Sequence, residues 1–96
     1  MSDIPKLSAV EWYKAMLEVP KGLYVLDLSN DTTALLSAFG EVMEANEAEI
    51  EVAAKAYCYD LWDRGCTDFR EATKEAIQVR DAAIGLVAVS LLEGDE

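Results

Sequence analysis

Asp81-Ala-Ala-Ile-Gly-Leu-Val-Ala-Val-Ser-Leu-Leu-Glu93 encloses eleven uncharged residues between two acids, and Ser90 is its only polar side chain. A segment this apolar has to be covered on nearly every side. Periodicity alone does not separate a buried strand from a buried helix. Val87 and Val89 alternate with Ala88 and Ser90, as in a strand. The helical pattern before it, however, runs in without a turn signal, and this favours helix even though Gly85 costs about 1 kcal/mol there. The run falls short of the ~20 residues a membrane span needs, and its acidic flanks do not suit an anionic lipid surface. The expectation is a central buried helix, with a homodimer as the alternative way of covering the same surface.

The segments that could cover it are also mostly helical. Ser8-Ala-Val-Glu11 has the form of a capping box, with Leu7 placed to staple against Trp12. Ala9, Trp12, Tyr13, Met16 and Leu17 share one helical face, and Pro20 ends the segment. Leu23-Tyr-Val-Leu-Asp-Leu28 is the one obvious strand candidate. Asp31 is the expected N-cap of a second helix with a stripe of Leu35, Leu36, Phe39, Val42 and Met43. Asn46-Glu-Ala-Glu49 reads as a variant capping box that interrupts or bends that helix and opens a third. Ile50, Ala53, Ala54, Tyr57, Leu61 and Trp62 form the buried face of this third helix. Glu51–Lys55 and Asp60–Arg64 are i,i+4 pairs on its exposed side. Gly65 suits a left-handed stop. Thr67 is the expected cap of a fourth helix whose stripe begins with Phe69, Ala72, Ala76 and Ile77. The sum is one all-α domain over 1–96, a small four-helix fold with room for one short extended segment at 23–28.

Composition narrows the function classes. Half of the 96 residues are hydrophobic, which argues against global disorder. The first residues carry no basic region followed by an apolar one, so a cytoplasmic protein without a signal peptide is expected. Cys58 and Cys66 then read as free thiols in a reducing compartment. There is no histidine, which removes Ser-His and Cys-His nucleophile pairs and the usual zinc site. No catalytic residue, metal or cofactor is assigned. Net charge is −11, from 19 acids against 8 bases. Direct binding to nucleic acid is not expected, because neutralising phosphates needs clustered Lys and Arg. A basic protein surface is the natural partner.

Glu41, Glu44, Glu47, Glu49 and Glu51 place five acids in eleven residues without one base. On a continuous helix Glu44, Glu47 and Glu51 form one stripe. Charge runs usually just solvate a helix face; the alternative is a contact surface for a basic partner. Tyr57 and Tyr59 cannot share a helix face, so at least one should be partly exposed. Tyr59 and Trp62 beside acids have the character of interface anchors.

Gly40-Glu-Val-Met-Glu-Ala45 resembles part of the motif of all-α nucleotide pyrophosphohydrolases of the MazG type. The resemblance implies Mg²⁺ held by carboxylates from two facing helices, here Glu41 and Glu44 with Asp60 and Asp63. The acids that family carries before the glycine are Ala38-Phe39 in this chain, and Tyr57 stands three residues before Asp60 where the family has glutamate. In composition the chain is also similar to small phage counter-defence proteins, anti-CRISPR proteins among them, and to nuclease-immunity proteins, classes that include DNA mimics. The leading expectation is an acidic protein-binding module, an inhibitor that occupies a basic nucleic-acid-binding surface through Glu41, Glu44, Glu47, Glu49, Glu51, Tyr59 and Trp62. A MazG-like hydrolase and a helical subunit or adaptor of a larger assembly are the rivals.

Overall fold

The computed structural model describes residues 4–19, 32–65 and 68–93. Among the described residues three α-helices follow one another: α1 (Ala9–Glu18), α2 (Thr32–Asp63) and α3 (Phe69–Glu93). No strand occurs among the described residues. The all-α expectation therefore holds, while the expected count of four helices does not. The 23–28 segment, the Asp31 and Thr67 caps and Cys66 lie outside the described residues.

The start of α1 is dictated locally. The Glu11 N–H donates to Ser8 Oγ at 3.2 Å, and the Ser8 N–H donates to Glu11 Oε1 at 3.1 Å. Two donors that the helix itself leaves unpaired are thus satisfied reciprocally. Leu7 packs against the cluster that holds Trp12, as the staple predicts. Trp12 and Met16, one turn apart, are buried, while Leu17 is about half exposed despite its place on the predicted stripe. Val19 is extended (φ −60°, ψ 123°), the conformation favoured before a proline.

The decisive correction is at Asn46. Instead of breaking the chain into two helices, it sits fully buried in the middle of one 32-residue helix. Its Oδ1 accepts from the Leu7 N–H at 2.9 Å and from Trp12 Nε1–H at 3.3 Å. Its Nδ2 donates to the Pro5 carbonyl at 2.8 Å and to the Val42 carbonyl, one turn back, at 3.0 Å. The amide is fully used, with two bonds accepted and two donated. Two carbonyl partners demand the NH₂ and two N–H partners demand the oxygen, so the network fixes the side chain's orientation. The capping-box expectation pointed this side chain at its own following N–H groups. It points across to the segment before α1 instead, so α2 continues. At ~1.5 Å per residue the helix spans about 46 Å from its first to its last Cα, close to the 45 Å long dimension of the molecule.

α2 ends at Asp63, and Gly65 follows with φ +101°, a left-handed conformation that glycine tolerates best. The first turn of α3 is served by Asp68, whose carboxylate accepts from the Arg70 N–H at 2.9 Å. The helical assignment of 82–92 is borne out. Ala72, Ala76, Val79, Ala83 and Ala88 are buried at spacings of three, four and five residues, and small side chains at these positions let two helix backbones approach closely. The main cluster joins Trp12 and Met16 of α1, Val42, Ile50 and Ala53 of α2, and Val79, Ala83 and Ile84 of α3. Burial of the 82–92 run is incomplete: Leu86, Ser90 and Leu92 are exposed. No helix among the described residues is long and apolar enough to cross a membrane.

Candidate functional site

The face of α2 turned away from this core is built in two parts. In the first, Glu41, Glu44, Glu47, Glu49 and Glu51 are all exposed, as charged groups without buried partners must be. Glu44, Glu47 and Glu51 lie on one side of the helix, and Glu49 falls some 160° around from Glu51 at 100° per residue. Lys55 Nζ lies 3.3 Å from Glu51, with both side chains about two-thirds exposed. An ion pair this exposed contributes about 0–1 kcal/mol, but it offsets one charge of the stripe. Over its whole length α2 carries seven acids and one base, for a net charge of −6, more than half of the chain's −11. By contrast α3 carries four acids and three bases.

In the second part, toward the C-terminal end of α2, the surface turns aromatic. Tyr59 and Trp62 are 59% and 43% exposed. Phe69, at the first position of α3, lies between them in contact terms: its ring is 6.2 Å from Tyr59 and 5.7 Å from Trp62, the latter edge-to-face. These are favourable aromatic geometries. Tyr57, on the opposite side of α2, is half buried and tilted against Tyr13 at 6.2 Å. The expected division between Tyr57 and Tyr59 is therefore what the helix does. Phe69 was expected to begin a core stripe, and it is 47% exposed. Its position offers a signal in hindsight: a side chain in the first helical turn leans over the turn before it, here the end of α2.

Two grooves flank this face, and Tyr59 contributes to both. The groove between α1 and α2, of about 440 Å³, has Val10 and Val52 on its walls, Tyr13 beside them, and, among the described residues, Asp60 and Asp63 as its charged lining. The groove between α2 and α3, of about 330 Å³, includes Phe69 and Ile77 and carries Glu51, Lys55 and Arg80. Val10, Val52 and Ile77 are each at least two-fifths exposed; the sequence stripes did not include Val10 and Val52, and they placed Ile77 on a buried face. Buried Cys58 lies on the α2–α3 side, with its Sγ 3.6 Å from Thr73 Oγ1.

Asp60 is engaged from within the chain. Arg64 Nη2 lies 3.1 Å from its Oδ2. The Tyr13 hydroxyl hydrogen-bonds to it, and burial together with that bond and the carboxylate's charge pushes the Tyr13 pKa above its ordinary value. The four carboxylates implied by the pyrophosphohydrolase resemblance are not brought together. Glu41–Glu44 and Asp60–Asp63 belong to one helix, and the nearest members, Glu44 and Asp60, are about 24 Å apart along its axis. A hard cation needs all its oxygen ligands within ~2–2.6 Å of one point. Among the described residues no three carboxylates or thiols approach closely enough to share a metal ion.

No protein-family model, curated protein or solved structure matches this chain.

Proposed function

We propose that the protein is an acidic protein-binding module that acts as an inhibitor, laying the outer face of α2 on a basic, nucleic-acid-binding surface of its target. The observation that carries this reading is the exposure of all five glutamates on one unbroken helix that ends in exposed Tyr59 and Trp62. From Glu41 to Glu51 the helix advances about 15 Å. Glu41, Glu44, Glu47 and Glu51 thus place one negative charge about every 5 Å along this side, against ~3.4 Å per phosphate along one DNA strand, and Glu49 on the other side adds only to the long-range field. A rigid helix holds those charges in place without ordering a loop on binding, which lowers the entropic cost. The acids supply steering and the aromatic end supplies contact area.

The test is competition. A target captured with the wild-type protein should release its nucleic acid as the protein is added, and association should slow as salt rises. Replacing Glu44, Glu47 and Glu51 together by Gln should slow association about 10-fold at low salt. Unchanged affinity and unchanged salt dependence in that variant would reduce the stripe to a solvated helix face.

A second reading, a helical subunit of a larger assembly, is favoured by Leu86 and Leu92, which stay exposed on the most apolar helix. Sedimentation of wild type and Leu92→Glu distinguishes it: an assembly seated there comes apart in the variant.

A further inference from the structure

The two grooves beside α2 differ in what they would accept. The α2–α3 groove contains Lys55 and Arg80 as well as Glu51, and Arg80 is itself held by Asp81 at 2.9 Å. Its mixed charge selects neither sign. Among the described residues the lining of the α1–α2 groove contains no base, and the one base beside it, Arg64, is paired with Asp60. The groove walls are apolar, with Val10 and Val52 64% and 58% exposed; Tyr13 and Tyr59 add aromatic surface, and Asp60 and Asp63 stand toward the C-terminal end of α2. From Val52 to Asp63 this side of α2 runs about 16 Å, or three helical turns. Exposed apolar side chains along a trough of that length, ending in carboxylates, match the chemistry of one ligand: an amphipathic helix that puts its apolar positions in the trough and a base at the acidic end.

We infer that the α1–α2 groove is a docking site for a basic amphipathic helix of the partner protein, with apolar side chains against Val10 and Val52 and a lysine or arginine against Asp60 and Asp63. Asp63 carries the free charge of the site, because Asp60 already faces Arg64 at 3.1 Å. Tyr59 can stack under the aliphatic stem or the guanidinium of the incoming base. A second copy of this chain is the wrong occupant on charge grounds: each copy carries −11, and pairing would bring like-charged surfaces to an acidic rim. The inference rests on the function proposed above only for the sign of the partner's charge. The glutamate stripe and the groove are separate parts of the surface.

Three synthetic helical peptides of about 14 residues, roughly 21 Å long, test this against the full-length protein. One has leucines at i, i+3, i+4 and i+7 with lysines flanking; the second keeps the lysines but replaces the leucines by alanine; the third keeps the leucines but replaces the lysines by glutamate. Amide shifts of the isotope-labelled protein locate the binding. The first peptide should perturb Val10, Val52, Ala56 and Tyr59, and bind at least 10-fold more tightly than either control. Val52→Glu and Asp63→Asn should each weaken it several-fold, and Ile77→Glu in the other groove should not. Circular dichroism shows whether each variant remains folded, and Val10→Glu is the second substitution should Val52→Glu unfold.

Equal binding of the leucine and alanine peptides would reduce the contact to diffuse attraction and overturn the inference. So would shifts confined to the α2–α3 groove, no binding at all, or a dimer in sedimentation that Val52→Glu returns to monomer. The Glu44, Glu47, Glu51 triple Gln variant separates the two proposals. Retained groove binding in that variant leaves the groove standing even if the stripe reading fails, and loss of groove binding in Val52→Glu with target capture intact does the reverse.

Discussion

The inner and outer faces of α2 both carry polar side chains, and the two sets do opposite jobs. On the inner face Asn46 is fully buried, and each hydrogen-bonding position of its amide is filled by α2 itself, by Trp12 of α1 or by the segment leading into α1. On the outer face the glutamates are exposed, and of the five only Glu51 has a partner among the ion pairs of the described residues. The buried amide costs stability if any bond is lost, because an unpaired buried group forfeits its hydration without compensation. The exposed acids cost almost nothing to lose, because water replaces whatever they touch. A polar residue whose removal leaves the fold intact is free to be used for recognition, and one whose removal unfolds the chain is not.

The largest effect should come from the inner face. Asn46→Leu keeps the volume roughly constant but leaves the Leu7 N–H and Trp12 Nε1–H without acceptors. Two orphaned donors at about 1–3 kcal/mol each predict a loss of on the order of 3 kcal/mol in urea unfolding followed by circular dichroism. A loss under about 1 kcal/mol would break the contrast, by showing that the hub is dispensable. Next in size is Ala83→Leu, which drives three extra carbons into the fully buried contact among Trp12, Val42 and Ile84. Overpacking of this kind costs typically ~1–3 kcal/mol, and a stabilised variant would mean that the helices are not as closely apposed as the small residues imply.

Tyr13 lies at the border of the two faces, and its effect should be intermediate. Tyr13→Phe removes a hydrogen bond to Asp60, for about 1 kcal/mol at pH 7. The pH dependence gives an independent check. Burial, the bond to Asp60 and that carboxylate's charge raise the Tyr13 pKa above 10.0. Between the unfolded and the folded pKa the folded state therefore binds more protons than the unfolded state. The stabilisation is complete below pH 10 and is lost as pH rises through the folded pKa. Stability should fall more steeply above pH 10 in wild type than in Tyr13→Phe, and parallel curves would remove Asp60 as its partner. The smallest effect belongs to the outer face. Replacing Glu44, Glu47 and Glu51 by Gln should shift unfolding by no more than about 0.5 kcal/mol, with any gain appearing at low salt, where repulsion among the acids is least screened. A loss above 1 kcal/mol would mean that the stripe is structural after all.

What the sequence disclosed divides along the same line. The Ser8–Glu11 capping box, the Gly65 stop and both i,i+4 ion pairs were legible because all their partners lie within four residues. Exposure of the glutamates was equally legible, since unpaired charges are held at the surface. The continuity of α2 was not. Asn46 followed three residues later by Glu49 has the letters of a helix start, and only partners 34 to 41 residues away in the chain reveal a helix interior. The apolar stripes were legible as stripes, but a stripe does not say which of its members a neighbour reaches. Leu17, Leu36, Phe69 and Ile77 all lie on predicted buried faces and all are more than two-fifths exposed. The acids proposed for a metal were read as two helices for the same reason that Asn46 was read as a break.

The two tryptophans inherit this division as optical probes. Trp12 is wholly enclosed with its indole N–H bonded to Asn46, while Trp62 is 43% exposed on the proposed contact surface. Their fluorescence is therefore separable, with a blue, quencher-resistant component from Trp12 and a red, accessible one from Trp62. Iodide, an anion, should quench the red component poorly on a helix with a net charge of −6, and caesium should quench it well. Binding at the outer face would dim or shift only the red light, whereas opening of the Asn46 hub would shift only the blue. A single emission spectrum, recorded during titration with a partner, would thus tell occupation of the surface from loosening of the fold without any label.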